Sequence, residues 1–316
     1  MSDPGPLFDR PVAPGGYAWW YVDALSDDGR HGLTIIGFVG SVFSPYYAWA
    51  RRRDRTHLAD PLDHCAINVA LYGAAGKRWT MTERGRGRVE RNPAALRIGP
   101  SAMQWTPDGL TIEVDEITVP WPSRVSGRIR LRPAALNEQV WTLDTRGRHR
   151  WRPIAPCARV EVRLQRPELT WLGHGYFDHN HGDEPLEAGF ARWDWSRATL
   201  ADGDAAVLYD ITRRDGTDLA LSLRFDRAGR VRRLDPPPRA ALPRSLWQVE
   251  RGTRADHGHA AKVTQSLEDA PFYARSLVDT RLFGEPAKAV HESLHLGRFA
   301  SPLVQWMLPF RMPRVR

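Results

Sequence analysis

The sequence contains little cysteine. Its 316 residues include two cysteines, Cys65 and Cys157, which lie far apart in the chain and show neither metal-binding nor redox spacing. This excludes a zinc or redox motif built on cysteine pairs. We expect both thiols to be small buried side chains in a reducing compartment.

Long apolar runs are also lacking. No stretch approaches the roughly 18 consecutive apolar residues of a membrane-spanning helix. The N-terminal residues, MSDPGP, lack the basic start and apolar core of a signal peptide. We therefore expect a cytoplasmic protein that is soluble or associated peripherally with a membrane.

The chain also lacks a basic stripe that could follow a phosphate backbone. Lys and Arg number 45 against 37 Asp and Glu, which gives a net charge of +8 and a pI near 9.9. Such a balance permits nucleic acid, an anionic membrane surface or an acidic substrate as a partner. Because most arginines are scattered singly among acidic residues and no nucleic-acid motif is present, we expect no nucleic-acid partner.

What the sequence has in abundance is short apolar runs separated by turns. Residues 19–25 and 32–40 are two such runs around an Asp-Gly turn, which predicts a β-hairpin. Similar runs recur at short intervals from residue 63 to about residue 165. This rhythm is typical of an antiparallel barrel or sandwich. Residues 286–295 are the one segment for which we predict a helix.

The second half of the chain repeats the opening of the first half. Residues 193–203 echo residues 19–29 at one constant offset, with Trp, Ala, Asp and Gly recurring in the same places. An apolar run follows each segment. Two hairpins that open two strand-rich halves indicate a duplicated β domain.

Reactive side chains are most concentrated in residues 171–183, which hold three histidines, two aspartates, a tyrosine and a tryptophan. On a strand, Tyr176 and Asp178 point to the same face. If that face is an apolar cavity, Asp178 is driven toward its protonated form and can act as an acid near neutral pH. The alternative is a solvated polar turn at the end of a strand.

Three stretches resemble a known family, the carotenoid 1,2-hydratases (hydroxyneurosporene synthases) of phototrophic bacteria. They are residues 19–38 (WWYVDALSDDGRHGLTIIGF), 42–52 (VFSPYYAWARR) and 175–180 (GYFDHN). The resemblance runs nearly the full length of the chain. It implies an all-β fold of two tandem lipocalin-like antiparallel domains with little helix.

In the wider superfamily, an Asp-His-x-x-Gly segment closes the first domain and a Trp-Asp-Trp strand opens the second. These segments fall on residues 178–182 and 193–195. The resemblance therefore implies an N-terminal domain of residues 1–185 that carries the catalytic residues. Residues 186–316 would form a C-terminal domain that ends in a basic, aromatic tail.

The family adds water to the terminal C1–C2 double bond of acyclic carotenes such as neurosporene and lycopene, without a cofactor. The resemblance implies the same reaction here. The family's active-site residues form a His-x-Trp pair and, downstream, a Tyr-x-Asp pair. These patterns fall on His149 and Trp151, and on Tyr176 and Asp178, with Asp178 as the essential acid.

Elementary chemistry agrees with these residue types. Hydration of such an alkene begins with proton transfer to carbon, which requires an acid that is well placed and shielded from water. The positive charge that develops on the tertiary carbon is stabilised by aromatic ring faces, by about 0.5–2 kcal/mol per contact. Trp151 and Tyr176 supply such rings. His149 is expected either to hydrogen-bond Asp178 or to orient the attacking water.

Two other functions stay open at this point. A zinc site could use His174, Asp178, His179 and His181, although on a strand Asp178 lies opposite His179 and His181. A carotenoid or lipid carrier without activity would also suit tandem lipocalin-like cavities. The similar Tyr209-Asp210 pair in the second half is interpreted as structural.

Membrane contact is expected from two aromatic segments that also carry arginine, residues 43–53 and 299–316. Tryptophan and tyrosine favour the headgroup level of a bilayer, and arginine favours anionic lipid. The alternative is that these aromatic side chains pack onto the protein itself.

Overall fold

The computed structural model describes residues 5–53, 59–74 and 76–315. The chain divides into two compact units, Met1–Pro185 with Trp306–Arg316, and Leu186–Gln305. Both units are built mainly of antiparallel strands, and the described helices are short. The prediction of an all-β fold with little helix is confirmed.

The first unit is dominated by one large sheet. Its strand order is β5-β3-β2-β1-β13-β12-β10-β9-β8-β7-β6, with β4 paired to β3 and β11 paired to β12. A helix, α1 (Pro45–Arg53), follows β2. The strands are β1 (Tyr17–Ser26), β2 (His31–Val39), β3 (Cys65–Gly73), β4 (Arg78–Met81), β5 (Glu83–Arg84), β6 (Val89–Asn92), β7 (Ala95–Ile98), β8 (Ser101–Thr106), β9 (Gly109–Ile117), β10 (Arg124–Pro133), β11 (Trp141–Thr142), β12 (His149–Arg166) and β13 (Leu169–Gly182).

Strand β1 is buried on both of its faces. Alternation sends Ala18, Trp20 and Val22 to one face, where they join an apolar core formed with β2, β3, β9, β10 and β12. Burial of each large side chain in this core stabilises the unit by about 1.5–3 kcal/mol. The intervening residues of β1 are also buried, but they include hydroxyl and carboxyl groups. The face opposite the core is therefore the one suited to chemistry.

The second unit contains a seven-stranded sheet in the order β17-β16-β15-β14-β22-β21-β20 and a separate pair, β18-β19. Its short helices are α2 (Leu186–Gly189) and α3 (Leu296–Phe299). A further short helix, α4 (Pro302–Met307), contains the boundary at which the chain passes from the second unit to the tail. The strands are β14 (Phe190–Thr199), β15 (Ala205–Arg213), β16 (Asp218–Phe225), β17 (Val231–Arg233), β18 (Arg239–Leu242), β19 (Arg251–Arg254), β20 (Lys262–Ala270), β21 (Tyr273–Leu282) and β22 (Glu285–His295).

The helix predicted for residues 286–295 is wrong, because these residues form strand β22. Alanine, lysine and glutamate in this segment favour a helix when taken alone. In the folded unit, β22 lies between β14 and β21 and pairs with both along most of its length. Two neighbouring strands therefore outweigh the local helical preference.

The C-terminal tail packs with the first unit rather than with the second, to which the sequence assigned it. A short strand, β23 (Arg314–Val315), pairs in parallel with β5. Arg314 forms an ion pair with Glu83, whose side chain is 2% exposed, and contacts His64 Nδ1 at 2.9 Å. This buried carboxylate attaches the end of the tail to the first unit.

Among the residues that the structure describes, no helix is long and apolar enough to cross a membrane. Both cysteines are buried free thiols.

Candidate active site

Antiparallel pairing brings the Tyr-x-Asp segment of β13 against the opening strand of the chain. Asp178 lies opposite Tyr21 of β1, and Tyr176 lies opposite Asp23. On its other side, Asp178 lies opposite Pro153 of β12. Directly opposed residues in an antiparallel pair project to the same face. These side chains therefore share the face that lies opposite the apolar core.

Strand β12 adds the His-x-Trp pair to this face. Trp151 lies opposite Asn180 and His149 lies opposite Gly182. Asn180 and Gly182 follow Asp178 along β13 at the spacing that keeps side chains on one face. All four residues predicted for the site thus lie on one face of the sheet, where each is at most 3% exposed.

Three of them form one hydrogen-bonded group around the Asp178 carboxyl. Trp151 Nε1 donates to Asp178 Oδ2 at 2.8 Å, and the Tyr176 hydroxyl donates to the same oxygen at 2.9 Å. The Asn180 amide contacts Asp178 Oδ1 at 3.2 Å. The two donors on Oδ2 occupy both of its lone pairs. A proton carried by this carboxyl must therefore be on Oδ1.

Burial makes Tyr176 a permanent donor in this group. Removal from water, reinforced by the neighbouring Asp178 carboxyl, raises the pKa of Tyr176 well above its usual value. The phenol therefore keeps its proton at physiological pH and can stabilise negative charge on Asp178. Such hydrogen bonds to a charged oxygen are worth about 1.5–3 kcal/mol each.

His149 lies on the same face but makes its hydrogen bonds elsewhere. Its Nδ1 is 2.8 Å from the Tyr17 hydroxyl, and its Nε2 is 3.3 Å from Glu184 Oε1. Burial is the main cause that lowers the pKa of His149, so the ring is neutral near pH 7. A neutral imidazole has one donor and one acceptor, so Nε2 donates to Glu184 and Nδ1 accepts from Tyr17. These two hydrogen bonds of the ring nitrogens go to Tyr17 and Glu184. The hydrogen bond to Asp178 that the sequence analysis considered is not one of them.

The other histidines of the 171–183 stretch do not join this group. His179 and His181 lie on the opposite face, where their rings stack on each other with centroids 5.0 Å apart and His179 stacks on Trp20. His174 is exposed and lies 3.6 Å from Asp27. Within residues 5–53, 59–74 and 76–315, no group of three His, Cys, Asp or Glu side chains is arranged to hold a metal ion.

Three neighbours of Asp178 are missing from the residues selected by sequence. Asn180 contacts its carboxyl, the Tyr21 ring lies edge-on to Tyr176 with centroids 6.2 Å apart, and the Tyr21 hydroxyl donates to Asp23 Oδ2 at 3.1 Å. The alternation that selects Tyr176 and Asp178 also selects Asn180. It likewise sends Tyr21 and Asp23 to one face of β1.

In the second unit, the Tyr209-Asp210 pair has a different environment. Arg254 donates to both Asp210 carboxylate oxygens, at 2.6 and 2.8 Å, and both side chains are largely buried. Asp210 thus forms a two-point ion pair with Arg254, whereas the Asp178 carboxyl is hydrogen-bonded by Trp151 and Tyr176. This environment agrees with the structural interpretation of the pair.

Residues 35–316 match the family described as carotenoid hydratase CrtC. The chain is 62% identical to the acyclic carotenoid 1,2-hydratase of Thiocapsa roseopersicina over 99% of this chain and 77% of that protein. It is 54% identical to the acyclic carotenoid 1,2-hydratase of Rubrivivax gelatinosus over 98% of this chain and 76% of that protein.

A solved structure supports the fold independently of function. The crystal structure of an AttH protein from Nitrosomonas europaea superimposes with a TM-score of 0.59 at 17% identity, over 92% of this chain and 99% of that one. Because the family match and the high identities both extend over most of the sequence, the chain belongs to the carotenoid hydratase CrtC family.

Proposed function

We propose that the protein adds water to the terminal C1–C2 double bond of acyclic carotenes such as neurosporene and lycopene, giving a tertiary 1-hydroxy group. The addition is initiated by an acid and uses no cofactor. Membership of the carotenoid hydratase family supports this reaction. The observation that carries the mechanism is a buried carboxyl, Asp178, surrounded by aromatic hydrogen-bond donors on one face of the sheet.

Asp178 has to meet two opposite requirements, which are to hold a proton before the reaction and to release it during the reaction. An acid that protonates carbon must hold its proton in the resting enzyme, and a buried site disfavours the charged form. The same acid must then release its proton. The Trp151 and Tyr176 donors on Oδ2 stabilise the carboxylate that release creates. Asp178 Oδ1 would give its proton to C2, and water would attack C1.

Aromatic rings on this face would stabilise the cation formed at C1. Trp19, Tyr21, Trp151 and Tyr176 are all buried on the face that carries Asp178. Each ring face that approaches the cation contributes about 0.5–2 kcal/mol. His149, which is neutral and bound to Tyr17, would act by holding the neighbouring aromatic side chains in place.

The reaction is tested with purified protein and lycopene or neurosporene dispersed in detergent, without added cofactor. We expect a product heavier than the substrate by one water, with the oxygen derived from labelled water. A protein that binds either carotene without converting it would instead be a carrier, and the proposal would fail.

We also propose that the protein contacts the membrane through its C-terminal segment. Trp306 and Phe310 are 68% and 67% exposed, and the centroids of their rings lie 6.1 Å apart. Exposed tryptophan and phenylalanine beside one another suit the interfacial region of a bilayer. An acyclic carotene is an apolar hydrocarbon and therefore dissolves in the membrane rather than in water. Its length is similar to the roughly 30 Å thickness of the hydrocarbon core.

A loop of the first unit lies beside this segment. The backbone N–H of Val119 donates to the Trp79 carbonyl, and Trp79 Nε1 donates to the Arg311 carbonyl. The loop that follows Val119 carries Trp121, which is 84% exposed. The loop and the tail therefore meet at Trp79, and together they offer two sites for insertion into the headgroup layer.

The other segment considered, residues 43–53, is less suitable. Tyr47 is fully buried, and the Arg51 guanidinium lies 4.3 Å from the centre of its ring. Arg52 and Arg53 are the exposed basic residues of α1. This segment can add electrostatic attraction of about 1 kcal/mol per basic residue. Its other aromatic side chains, Phe43, Tyr46 and Trp49, are only partly exposed.

Replacement of Trp306 and Phe310 by serine is expected to reduce the fraction of protein that pellets with anionic liposomes at least tenfold. Burial of each such side chain is worth about 1.5–3 kcal/mol. Activity on detergent-dispersed carotene should change less than twofold. Point substitutions are preferable to a truncation, because a truncation would also remove Arg314, the ion-pair partner of the buried Glu83 carboxylate.

The matched control replaces Val140 and Leu172, which are also exposed, by serine. It should pellet like the wild type. Equal pelleting of the wild type and the variant that lacks both aromatic rings would exclude the C-terminal segment as the membrane contact.

A further inference from the structure

A second tyrosine–aspartate pair lies directly across from the first. Tyr21 of β1 lies opposite Asp178 of β13, and Asp23 of β1 lies opposite Tyr176. Each tyrosine is therefore opposite the aspartate of the other strand. The hydrogen bonds are matched as well: Tyr21 donates to Asp23 Oδ2 at 3.1 Å, and Tyr176 donates to Asp178 Oδ2 at 2.9 Å. Asp23 is 1% exposed. The face therefore holds two buried carboxyl groups.

The strand register places the two aspartates diagonally across the β1–β13 pair, on one face. Diagonal neighbours in an antiparallel pair have their Cα atoms about 7–8 Å apart, so both carboxyl groups border the same part of this face. A reaction that protonates one carbon of a double bond and activates water at the other has a role for each of two such carboxyl groups.

An independent observation points to a polar ligand beside Asp23. Thr34 of β2 lies directly opposite Asp23 and shares its face. Thr34 is 2% exposed, and among the described residues its hydroxyl oxygen has no hydrogen-bond partner. A buried hydroxyl without a partner is costly unless a water or ligand satisfies it. Thr34 and Asp23 thus provide the hydroxyl and carboxylate that can hold one water.

We propose that Asp23 is the base that activates the attacking water, with Thr34 as the residue that positions it. The assignment rests on the proposed hydration reaction. Asp178 transfers its proton to C2, and the π electrons of the C1–C2 bond form the new C–H bond, which leaves a cation at C1. The water oxygen bonds to C1 while one of its protons passes to the Asp23 carboxylate. Return of one proton from Asp23 to Asp178 restores the starting state, so the sum is alkene plus water to alcohol.

The test separates protonation of carbon from attack by water. In deuterium oxide, Asp23→Asn should lose hydration at least 100-fold, in line with the 10²–10⁴-fold typical of a general base. Its recovered, unhydrated carotene should nevertheless carry deuterium at C2, because the cation still forms and collapses by losing a proton. Asp178→Asn should show neither hydration nor exchange.

Two further variants keep the assignment falsifiable. Thr34→Val preserves shape and should lower hydration about tenfold while exchange persists; this variant decides the matter if Asp23→Asn does not fold. Asp27→Asn, which changes an exposed aspartate of the adjoining turn, should behave like the wild type.

Three outcomes would overturn the assignment. The first is hydration by Asp23→Asn above one tenth of the wild-type rate. The second is a folded Asp23→Asn or Thr34→Val that loses exchange together with hydration. The third is wild-type protein that hydrates neither carotene, which would overturn the proposed function as well; the first two leave that function intact.

Discussion

Asp178→Asn is expected to abolish hydration, with a loss on the order of 10²–10⁴-fold or more, because the amide has no proton to transfer to carbon. The fold should persist. An asparagine has nearly the same shape, and its amide oxygen can still accept hydrogen bonds from Trp151 and Tyr176. The measurements are the rate of product formation from detergent-dispersed carotene and the free energy of unfolding.

The matched control for this substitution is Asp183→Asn. Asp183 is the other aspartate of the 171–183 stretch, and its side chain is about half exposed near Arg150. This variant should keep wild-type activity. If Asp178→Asn retained more than a few per cent of wild-type turnover, the proton would have to come from another group.

Removal of the two donors to Asp178 Oδ2 is expected to have the next largest effect. Trp151→Phe and Tyr176→Phe should each reduce hydration about 10–100-fold. Each deletes a hydrogen bond worth about 1.5–3 kcal/mol to the carboxylate that proton transfer creates. Each variant keeps an aromatic ring, so the loss reports on the donor rather than on the ring.

A second substitution at the same position separates the two roles of the indole. Trp151→Leu removes both the hydrogen-bond donor and the ring. Its hydration rate should therefore be lower than that of Trp151→Phe, by a factor that corresponds to the lost cation–π contribution of about 0.5–2 kcal/mol. Trp171→Phe is the control, since Trp171 belongs to the apolar core, and its activity should be unchanged. Full activity of Trp151→Phe with loss in Trp151→Leu would mean that the ring alone matters.

The structure also changes what is expected of His149. Because its two ring nitrogens contact Tyr17 and Glu184, we propose that it acts as a positioning residue for the aromatic side chains of β1. Tyr17 stacks on Trp19 with ring centroids 4.9 Å apart. The influence of His149 on the reaction is therefore expected to pass through Tyr17 and Trp19.

Several features of this protein follow from the sequence alone. Short alternating runs between turns are sufficient for an all-β fold, because a period of two is a local property of the chain. The same alternation places Tyr176 with Asp178, and His149 with Trp151, since residues two apart on a strand share a face. Motif resemblance then selects these four residues from many with similar chemistry.

Tertiary structure alone decides which strands are neighbours and in what register. Strands β1 and β13 are distant in sequence, and only their pairing places Tyr21 opposite Asp178 and Asp23 opposite Tyr176. A shift of one residue would send those side chains to the core. Burial between β14 and β21 likewise makes residues 286–295 a strand, and the Arg314–Glu83 ion pair attaches the tail to the first unit. Local sequence cannot encode these outcomes, because each depends on the free energy of contacts between distant segments.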